Sequence, residues 1–212
     1  TKRFMIEYKN DTKQNHLKEI TKRYNLQDRT NYEIYTIDGE TTRDFDDAIG
    51  LIQDKDKSIF SIYISNPVLW MDYLNLWDYY GDRISSVYLP DRVVNMLPNM
   101  MSNKVAGLLE GETAIAFVMD IQIVSDKIES VDYKNVLIKV KKNYRYEEKK
   151  LLKNPMYKTI LSLMSSIGMH VENSYKCIER WMIYFNSKIG ETLSQYNKGV
   201  YRYCTLLKTY DK

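Results

Sequence analysis

Residues 36–50 read TIDGETTRDFDDAIG, and the rest of the chain is best understood from this stretch. It places four aspartates, Asp38, Asp44, Asp46 and Asp47, within ten residues. Carboxylates at this spacing repel one another unless cations lie between them, so the stretch predicts a divalent metal site. Hard oxygen ligands favour magnesium, with manganese as the alternative, over zinc. A solvated acidic turn is the other interpretation, and the ligand pattern of an EF-hand loop does not fit.

Apolar, β-branched runs flank the acidic stretch and predict strands. Residues 32–37 precede it and residues 48–52 follow it, so the acids are expected at a strand end and in the loop between two strands. Residues 58–65 alternate well enough for a third strand. Residues 114–124 and 128–140, separated by three turn residues, predict a hairpin.

Helical periodicity marks three further segments. Residues 14–24 predict a helix with its cap within residues 10–12, and residues 74–86 predict an amphipathic helix. A final helix of about 25 residues is predicted by its apolar spacing. Its expected buried stripe is Val171, Tyr175, Ile178, Met182, Phe185, Ile189 and Leu193.

Two other segments have less regular patterns. Residues 87–98 are interrupted by proline and too apolar for a free loop, so we expect them to pack over another part of the protein. Residues 139–150, KVKKNYRYEEKK, are more typical of a solvated strand edge that passes into a helix than of a patch dedicated to RNA phosphates.

Composition and charge exclude several classes of protein. The 31 basic and 28 acidic side chains of the 212 residues are too balanced for nucleic-acid binding through bulk electrostatics. The two cysteines match neither a zinc site nor a disulfide framework, and the two histidines do not support a catalytic triad. No apolar run reaches the roughly 18 residues of a membrane helix. We therefore expect no membrane partner and a soluble protein of a reducing compartment, cytoplasmic or nuclear.

Several segments together resemble the catalytic domain of the ribonuclease II (RNB) family of exoribonucleases. The TID and DFDDA motifs reproduce the first signature of the family without a gap, and the SVYLP and MLP motifs resemble its second block. The matching segments are 26–29, 36–38, 44–48, 62–67, 86–90, 96–98, 111–117, 146–148, and Glu179 with Met182 and Asn186. The resemblance extends over residues 26–204.

The chain also departs from the family pattern. Asn66 stands in place of an acid, Ala114 in place of an arginine, Arg180 in place of the second acid of a pair and Cys204 in place of a histidine. The family's C-terminal Ser-Pro-x-Arg-Arg-Tyr segment, whose arginine contacts the scissile phosphate, has no counterpart before Lys212. We therefore expect the chain to be a piece of a longer protein.

The resemblance implies an α+β fold, in which a twisted, mostly antiparallel sheet is surrounded by helices that form an RNA channel. It implies two regions. Residues 1–30 form an N-terminal extension with a linker helix, and residues 31–212 form a partial RNB-like catalytic domain.

The resemblance also implies a function: a magnesium-dependent, hydrolytic 3′-to-5′ exoribonuclease that releases 5′-mononucleotides from single-stranded RNA. The four aspartates become the metal ligands and catalytic groups. Tyr88 matches the aromatic residue that stacks on the terminal nucleotide, and Glu179 matches a residue near its ribose. Asn186 and Arg202 are further candidate RNA contacts.

Two alternatives stay open. The departures favour a catalytically impaired RNB-like domain that binds RNA or acts as a scaffold, with other subunits of an RNA-processing or viral assembly as partners. A metal-dependent hydrolase of other specificity is the second. The abundance of Lys, Asn, Tyr and Ile indicates an AT-rich genome, that of a large virus or a protist.

Overall fold

The structure, a computed structural model, describes residues 8, 12–54, 57–82, 85–197, 199 and 201, without the side chains of residues 88 and 93. In this part of the chain the strands are β1 (Gln27–Arg29), β2 (Ile34–Asp38), β3 (Asp47–Asp54), β4 (Lys57–Ser65), β5 (Val87–Tyr88), β6 (Val93–Val94), β7 (Thr113–Val124), β8 (Lys127–Lys139) and β9 (Lys142–Arg145). The helices are α1 (Lys13–Arg23), α2 (Pro67–Tyr73), α3 (Trp77–Tyr80), α4 (Lys149–Lys153), α5 (Pro155–Ser166) and α6 (Ser174–Ser194), with a π-helical segment at Met100–Ala106.

Seven of these strands form one mixed sheet in the order β1-β8-β7-β4-β3-β2-β9. The four central pairs are antiparallel, whereas β1 joins β8 and β9 joins β2 in parallel at the two edges. The predicted α+β class with a mostly antiparallel sheet is confirmed. β5 and β6 form a separate two-stranded ribbon.

The longest pairing is the β7–β8 hairpin, whose turn sets the register as far as a bulge between Gln122 and Ile123. Ser125 and Asp126 both have positive φ, 47° and 59°, as a type I′ turn requires. The twist of this turn matches that of the flanking strands. The pairing of β7 with β8 confirms the hairpin predicted from residues 114–140. β4, also predicted, pairs with both β3 and β7 at the centre of the sheet.

Side chains alternate between the two faces of the sheet and build separate parts of the core. On one face Phe60 stacks on Trp181 of α6, with ring centroids 4.2 Å apart, and Met119 and Ile121 pack nearby against α5 and α6. On the other face Tyr63 and Val118 pack with small residues of β7. Helices therefore cover the first of these faces, whereas strand and loop residues form the cluster on the second.

A third apolar cluster joins the N-terminal helix to the rest of the fold. α1 begins after Thr12, whose side-chain oxygen accepts from the backbone N–H of Asn15 as an N-cap, so the predicted helix is confirmed. Leu17 and Ile20 of α1 pack with Trp70 of α2 and with the π-helical segment. β1 then enters the main sheet. The boundary after residue 30 stays a prediction.

The helix predicted over residues 74–86 is wrong. α2 begins earlier, at Pro67, and Asn75 has a φ of 51°, a left-handed conformation that ends regular helix. A short α3 follows, and residues 83–84 lie outside the described part. The spacing of Leu76 and Tyr80 signalled burial correctly but not a continuous helix.

The expectation that residues 87–98 pack over another part of the protein is confirmed only for their last part, where Leu97 packs on the apolar cluster around Trp70. The first part contains the β5–β6 ribbon, and Val87, Leu89 and Val94 there are exposed. The charged run over residues 139–150 does form the edge strand β9 and then enters α4, as predicted.

The last predicted helix is confirmed, with Ile178 and Phe185 buried as expected, but its ends and part of its buried stripe differ. α6 begins at Ser174, so Val171 precedes it, and Tyr175 and Leu193 are exposed. Ser174, Cys177, Ile178, Trp181 and Phe185 are the buried residues. The sequence reasoning missed α5, which Asn154 caps and Pro155 opens. Within the described residues, none of the helices combines the length and apolar character needed to span a membrane.

A buried ion pair ties the edge of the sheet to its centre. Arg29 of β1 donates from Nη1 and Nη2 to Oδ1 and Oδ2 of Asp120 on β7, over 2.8 and 2.6 Å. The Ser61 hydroxyl donates to the same carboxylate over 2.7 Å. Both charged side chains are nearly inaccessible to water, so Arg29 depends on Asp120 for compensation. Asp120 has one further cationic neighbour, the half-exposed Lys134, whose Nζ lies 3.2 Å from Oδ2.

Replacing Arg29 by methionine should therefore strongly destabilise the fold. The change leaves the Asp120 carboxylate buried with a missing partner, which typically costs about 3–5 kcal/mol. Urea unfolding followed by circular dichroism measures this. The exposed pair Lys188–Glu191 supplies the control, since Glu191→Gln should leave the midpoint of urea unfolding nearly unchanged. Equal effects of the two substitutions would contradict the importance of the buried pair.

Candidate metal-binding acidic site

The acidic stretch connects two adjacent strands of the sheet. Asp38 is the last residue of β2 and Asp47 is the first residue of β3. These strands pair in antiparallel fashion, with Tyr35 opposite Ile49, so their ends meet at one edge of the pairing. The acids lie at strand ends and in the intervening loop, as the sequence predicts.

The loop itself is held by backbone contacts and by one arginine. The N–H of Ser65 donates to the carbonyl of Asp46 over 2.8 Å, and the N–H of Leu108 donates to the carbonyl of Phe45 over 2.9 Å. Arg145 of β9 lies over the buried Phe45 ring, 5.3 Å from its centroid, and donates to the Gly39 carbonyl over 2.8 Å. The loop conformation therefore does not depend on pairing of its carboxylates.

Asp38 and Asp47 form the inner part of the site. The Oδ2 atom of each is buried and has no hydrogen-bond partner. Burial, with the neighbouring charges of Asp38 and Asp46, raises the pKa of Asp47 to about 7. Burial also raises the pKa of Asp38, although the Thr36 hydroxyl and Arg145 act in the opposite direction. The site thus holds carboxylates that the chain itself does not neutralise.

Asp44 and Asp46 form the outer part of the site and line an open recess of about 360 Å³. The side chain of Asp46 is exposed, but loss of water within the recess and the charge of Asp44 raise its pKa. The other lining residues are Ile64, Ser65, Pro67, Ser86, Asn95, Met96, Leu97, Ser102 and Ala106. Parts of the SVYLP and MLP motifs thus form walls of the acidic recess.

Tyr146 is a component of the site that the sequence reasoning did not assign. Its N–H donates to the backbone carbonyl of Asp38 over 2.9 Å. Burial and the charges of Asp47 and Asp38 raise the pKa of its hydroxyl to about 12. Its ring meets Tyr175 of α6 edge to face, with centroids 5.4 Å apart. The YEE motif was the available signal, but its place beside β2 depends on a pairing with β9 that is distant in sequence.

Two of the predicted RNA contacts, Glu179 and Asn186, lie on α6 and away from the recess. Glu179 is half-buried on α6, where Lys176 donates to it over 2.7 Å, and Asn186 is exposed further along the helix. Neither side chain lines the recess. The Tyr88 side chain and Arg202 lie outside the described residues. The RNA-binding roles of all four stay predictions.

The departures from the family pattern have simple structural accounts. Asn66 caps α2, accepting from the N–H of Leu69 over 3.4 Å, and donates to Oδ1 of Asn135 over 2.9 Å. Ala114 is buried in β7, and Arg180 is exposed. Cys204 lies outside the described residues. An amide suits the position of Asn66 because it both accepts and donates.

The donor chemistry of the site suits a hard divalent cation. Two buried carboxylate oxygens without partners are the kind of ligand that magnesium and manganese prefer. Across the described part of the chain, however, no three His, Cys, Asp or Glu side chains come together closely enough to hold a metal ion between them. The structure therefore shows an inner pair and an outer pair of acids rather than a closed ligand set.

Comparison with known proteins identifies the family of this chain. The model of the RNB domain matches residues 26–156, more than half of the chain. The chain belongs to the RNB domain family. Ribonuclease R of Mycoplasmopsis pulmonis is 36% identical to it over 107 residues, which cover 50% of this chain and 14% of that protein. The chain thus spans a small part of the length of this relative.

Solved structures share the RNB fold at low sequence identity. RNase R of Mycoplasma genitalium in complex with double-stranded RNA superposes with a TM-score of 0.69 and 21% identity, over 84% of this chain and 40% of that one. Yeast Ssd1, a pseudonuclease, superposes with a TM-score of 0.54 and 15% identity, over 66% of this chain and 19% of that one. The fold therefore occurs both in a ribonuclease and in a pseudonuclease.

The raised pKa of Asp47 predicts an unusual pH dependence of the metal-free protein. An unfolded aspartate has a pKa of about 3.9, so the folded state binds more protons than the unfolded state between about pH 4 and 7. Ionisation of Asp47, which faces Asp38, Asp46 and Tyr146, therefore destabilises the fold as the pH rises through this window. Asp47→Asn should raise the melting temperature of the metal-free protein near pH 7.5 by about 3–6 °C. It should also reduce the fall in melting temperature that the unmodified protein shows between pH 5 and pH 7.5.

Scanning calorimetry in the presence of a chelator measures this effect. Asp126→Asn is the matched control because Asp126 is exposed in the β7–β8 turn and asparagine tolerates its positive φ. That control should shift the melting temperature by less than about 1 °C. A lower melting temperature for Asp47→Asn than for the unmodified chain would contradict the mutual repulsion of the acids.

Proposed function

We propose that this RNB domain carries the metal-binding part of a magnesium-dependent 3′-to-5′ exoribonuclease that hydrolyses single-stranded RNA and releases 5′-mononucleotides. One observation carries the proposal: Asp38 and Asp47 present buried, unpaired carboxylate oxygens beside a recess that Asp44 and Asp46 line. A purely structural loop gains nothing from this arrangement, since unpaired buried charges destabilise a fold.

The family relationship supports a ribonuclease over other hydrolases. The relative compared above is named Ribonuclease R, and the M. genitalium structure contains RNA. Because the chain covers a small part of those proteins, the activity, the polarity and the RNA substrate of the whole protein are proposals here. Their direct support in this chain is the acidic site and the match of its motifs.

In this proposal the four aspartates hold magnesium, with manganese as the alternative. Bound magnesium supplies neutralisation of charge and Lewis-acid activation of water at neutral pH. The chain's own contribution is placement. β2 and β3 hold the inner acids, and Arg145 holds the loop by its bond to Gly39. Asp44 and Asp46 face the volume where a phosphodiester can lie.

The recess suits one nucleotide unit of a single strand. Its volume of about 360 Å³ is within the range of small-ligand sites, and its walls offer hydroxyl and amide groups from Ser65, Ser102 and Asn95. These groups can hydrogen-bond to a sugar–phosphate unit without adding charge. In this proposal, the basic groups that hold the phosphate come from outside the described residues.

The alternative is an RNB domain that has lost turnover and is retained for RNA binding or as a scaffold. It is favoured by the absence of a grouped set of three metal-ligating side chains in the described part of the chain, and by the pseudonuclease Ssd1 among structures with this fold. The unpaired oxygens of Asp38 and Asp47 favour the enzyme, because a scaffold has no physical need for them.

The metal-binding role is tested with Asp46→Asn in the full-length protein. The change should reduce magnesium-dependent mononucleotide release from single-stranded RNA by at least about 100-fold. Loss of a residue that only hydrogen-bonds to a metal ligand already lowers metal affinity or activity about 10–100-fold, and loss of a ligand should lower activity further. The stabilisation of the protein by added magnesium should also decrease. Asp126→Asn is again the control. Unchanged turnover in the Asp46 variant, measured by chromatography of the products, would exclude this mechanism.

The proposed stacking role of Tyr88 is tested separately. Tyr88→Ala should alter the length of the final RNA fragments more than the rate of the chemical step, because base stacking holds short products without taking part in bond cleavage. Gel analysis of end products from a labelled 30-nucleotide RNA measures this. Identical end products from both proteins would show that Tyr88 serves packing only.

A further inference from the structure

Trp77 differs from the other tryptophans of the chain in its exposure. Trp70 and Trp181 are completely buried, whereas Trp77 at the start of α3 is 45% exposed. A large aromatic side chain held at the surface loses the benefit of burial, so its surroundings indicate whether it belongs to a binding surface.

Trp77 lines a small apolar pocket of about 90 Å³ formed between α2 and α3. The residues around it share an uncharged character. They are Pro67, Val68, Met71, Trp77, Tyr80, Gly81, Met96 and Leu97. A pocket of this size is too small for the apolar face of a helix but accepts the edge of a planar ring, with the indole available as a stacking surface.

The apolar pocket adjoins the acidic recess. Pro67, Met96 and Leu97 line both cavities, so the two share a wall. A ligand that reaches from one to the other needs a flat apolar group on one side and, on the other, a group that carboxylates bind through a cation. A nucleotide unit of RNA has both, because its base is planar and its phosphate binds divalent cations.

We propose that the Trp77 pocket is a base-binding subsite, in which the indole stacks on a base of single-stranded RNA whose backbone lies in the acidic recess. The inference rests on the proposed function and adds to it a subsite on α3. Stacking tolerates any base, since each has a π-face, and the uncharged lining offers no charged group to select among bases. An apolar segment of the same protein or of a partner is the competing occupant.

Acrylamide quenching of tryptophan fluorescence tests the proposal in the full-length protein. The Asp46→Asn background with magnesium prevents turnover, an eight-nucleotide oligouridylate is the probe, and Trp77→Phe identifies the Trp77 signal by difference. We expect RNA to protect Trp77 from the quencher. An abasic ribose-phosphate oligomer of the same length should give no protection.

Binding measurements on substituted proteins complete the test. Trp77→Ala should weaken oligouridylate binding at least about fivefold, the lower end of what losing one base–aromatic stack costs. Tyr79→Ala is the matched control, because Tyr79 is similarly exposed on the same helix but does not line the pocket. The abasic oligomer should bind equally to all three proteins.

Each outcome decides the proposal. Equal affinities of the Trp77 and Tyr79 variants would overturn it, and so would a Trp77 already shielded from acrylamide before RNA is added, which would show that protein fills the pocket. Failure of the proposed function is distinguishable, because it appears as absent magnesium-dependent release in the unmodified protein. RNA protection of Trp77 in that case would still support the subsite.

Discussion

The repulsion between Asp38 and Asp47 is the constraint around which this RNB domain is arranged. Antiparallel pairing of β2 with β3 brings the two strand ends together, and the central β4 and β7 keep these strands in place. Burying two carboxylates is unfavourable in free energy, and local ion pairs do not offset it, since the Oδ2 atom of each has no partner. The stability of the apolar core offsets it instead. The sheet therefore maintains a charge arrangement that the loop alone would relax.

Distant parts of the chain complete this arrangement. β9 adds to β2 in parallel and brings Arg145 to the Gly39 carbonyl and Tyr146 to the Asp38 carbonyl. α6 then supplies Tyr175 against Tyr146. At the opposite edge, the Arg29–Asp120 pair holds β1 to the sheet. An arginine that donates hydrogen bonds to a residue distant in sequence thus stabilises both the edge of the sheet and the acidic loop.

Features with local causes could be predicted from the sequence. Thr12 marks the start of α1, and the acidic loop follows from the runs on either side of it. Features with long-range causes could not: the pairing of residue 35 with residue 142 has no local signal, so Tyr146 was not assigned to the site. The break at Asn75 depends on a left-handed conformation that helical spacing does not reveal. The start of α5 has a local cause as well, because Asn154 caps this helix and Pro155 opens it.

Asn66 has a consequence for how the two sides of the recess respond to their surroundings. Where the family pattern has an acid, its amide caps α2 and donates to Asn135 of β8, and it lies between the recess residues Ser65 and Pro67. This joint contains no group that gains or loses a proton near neutral pH. A change in acidity or in cation concentration therefore acts on the charges of the aspartate loop and leaves the charge of this joint unchanged.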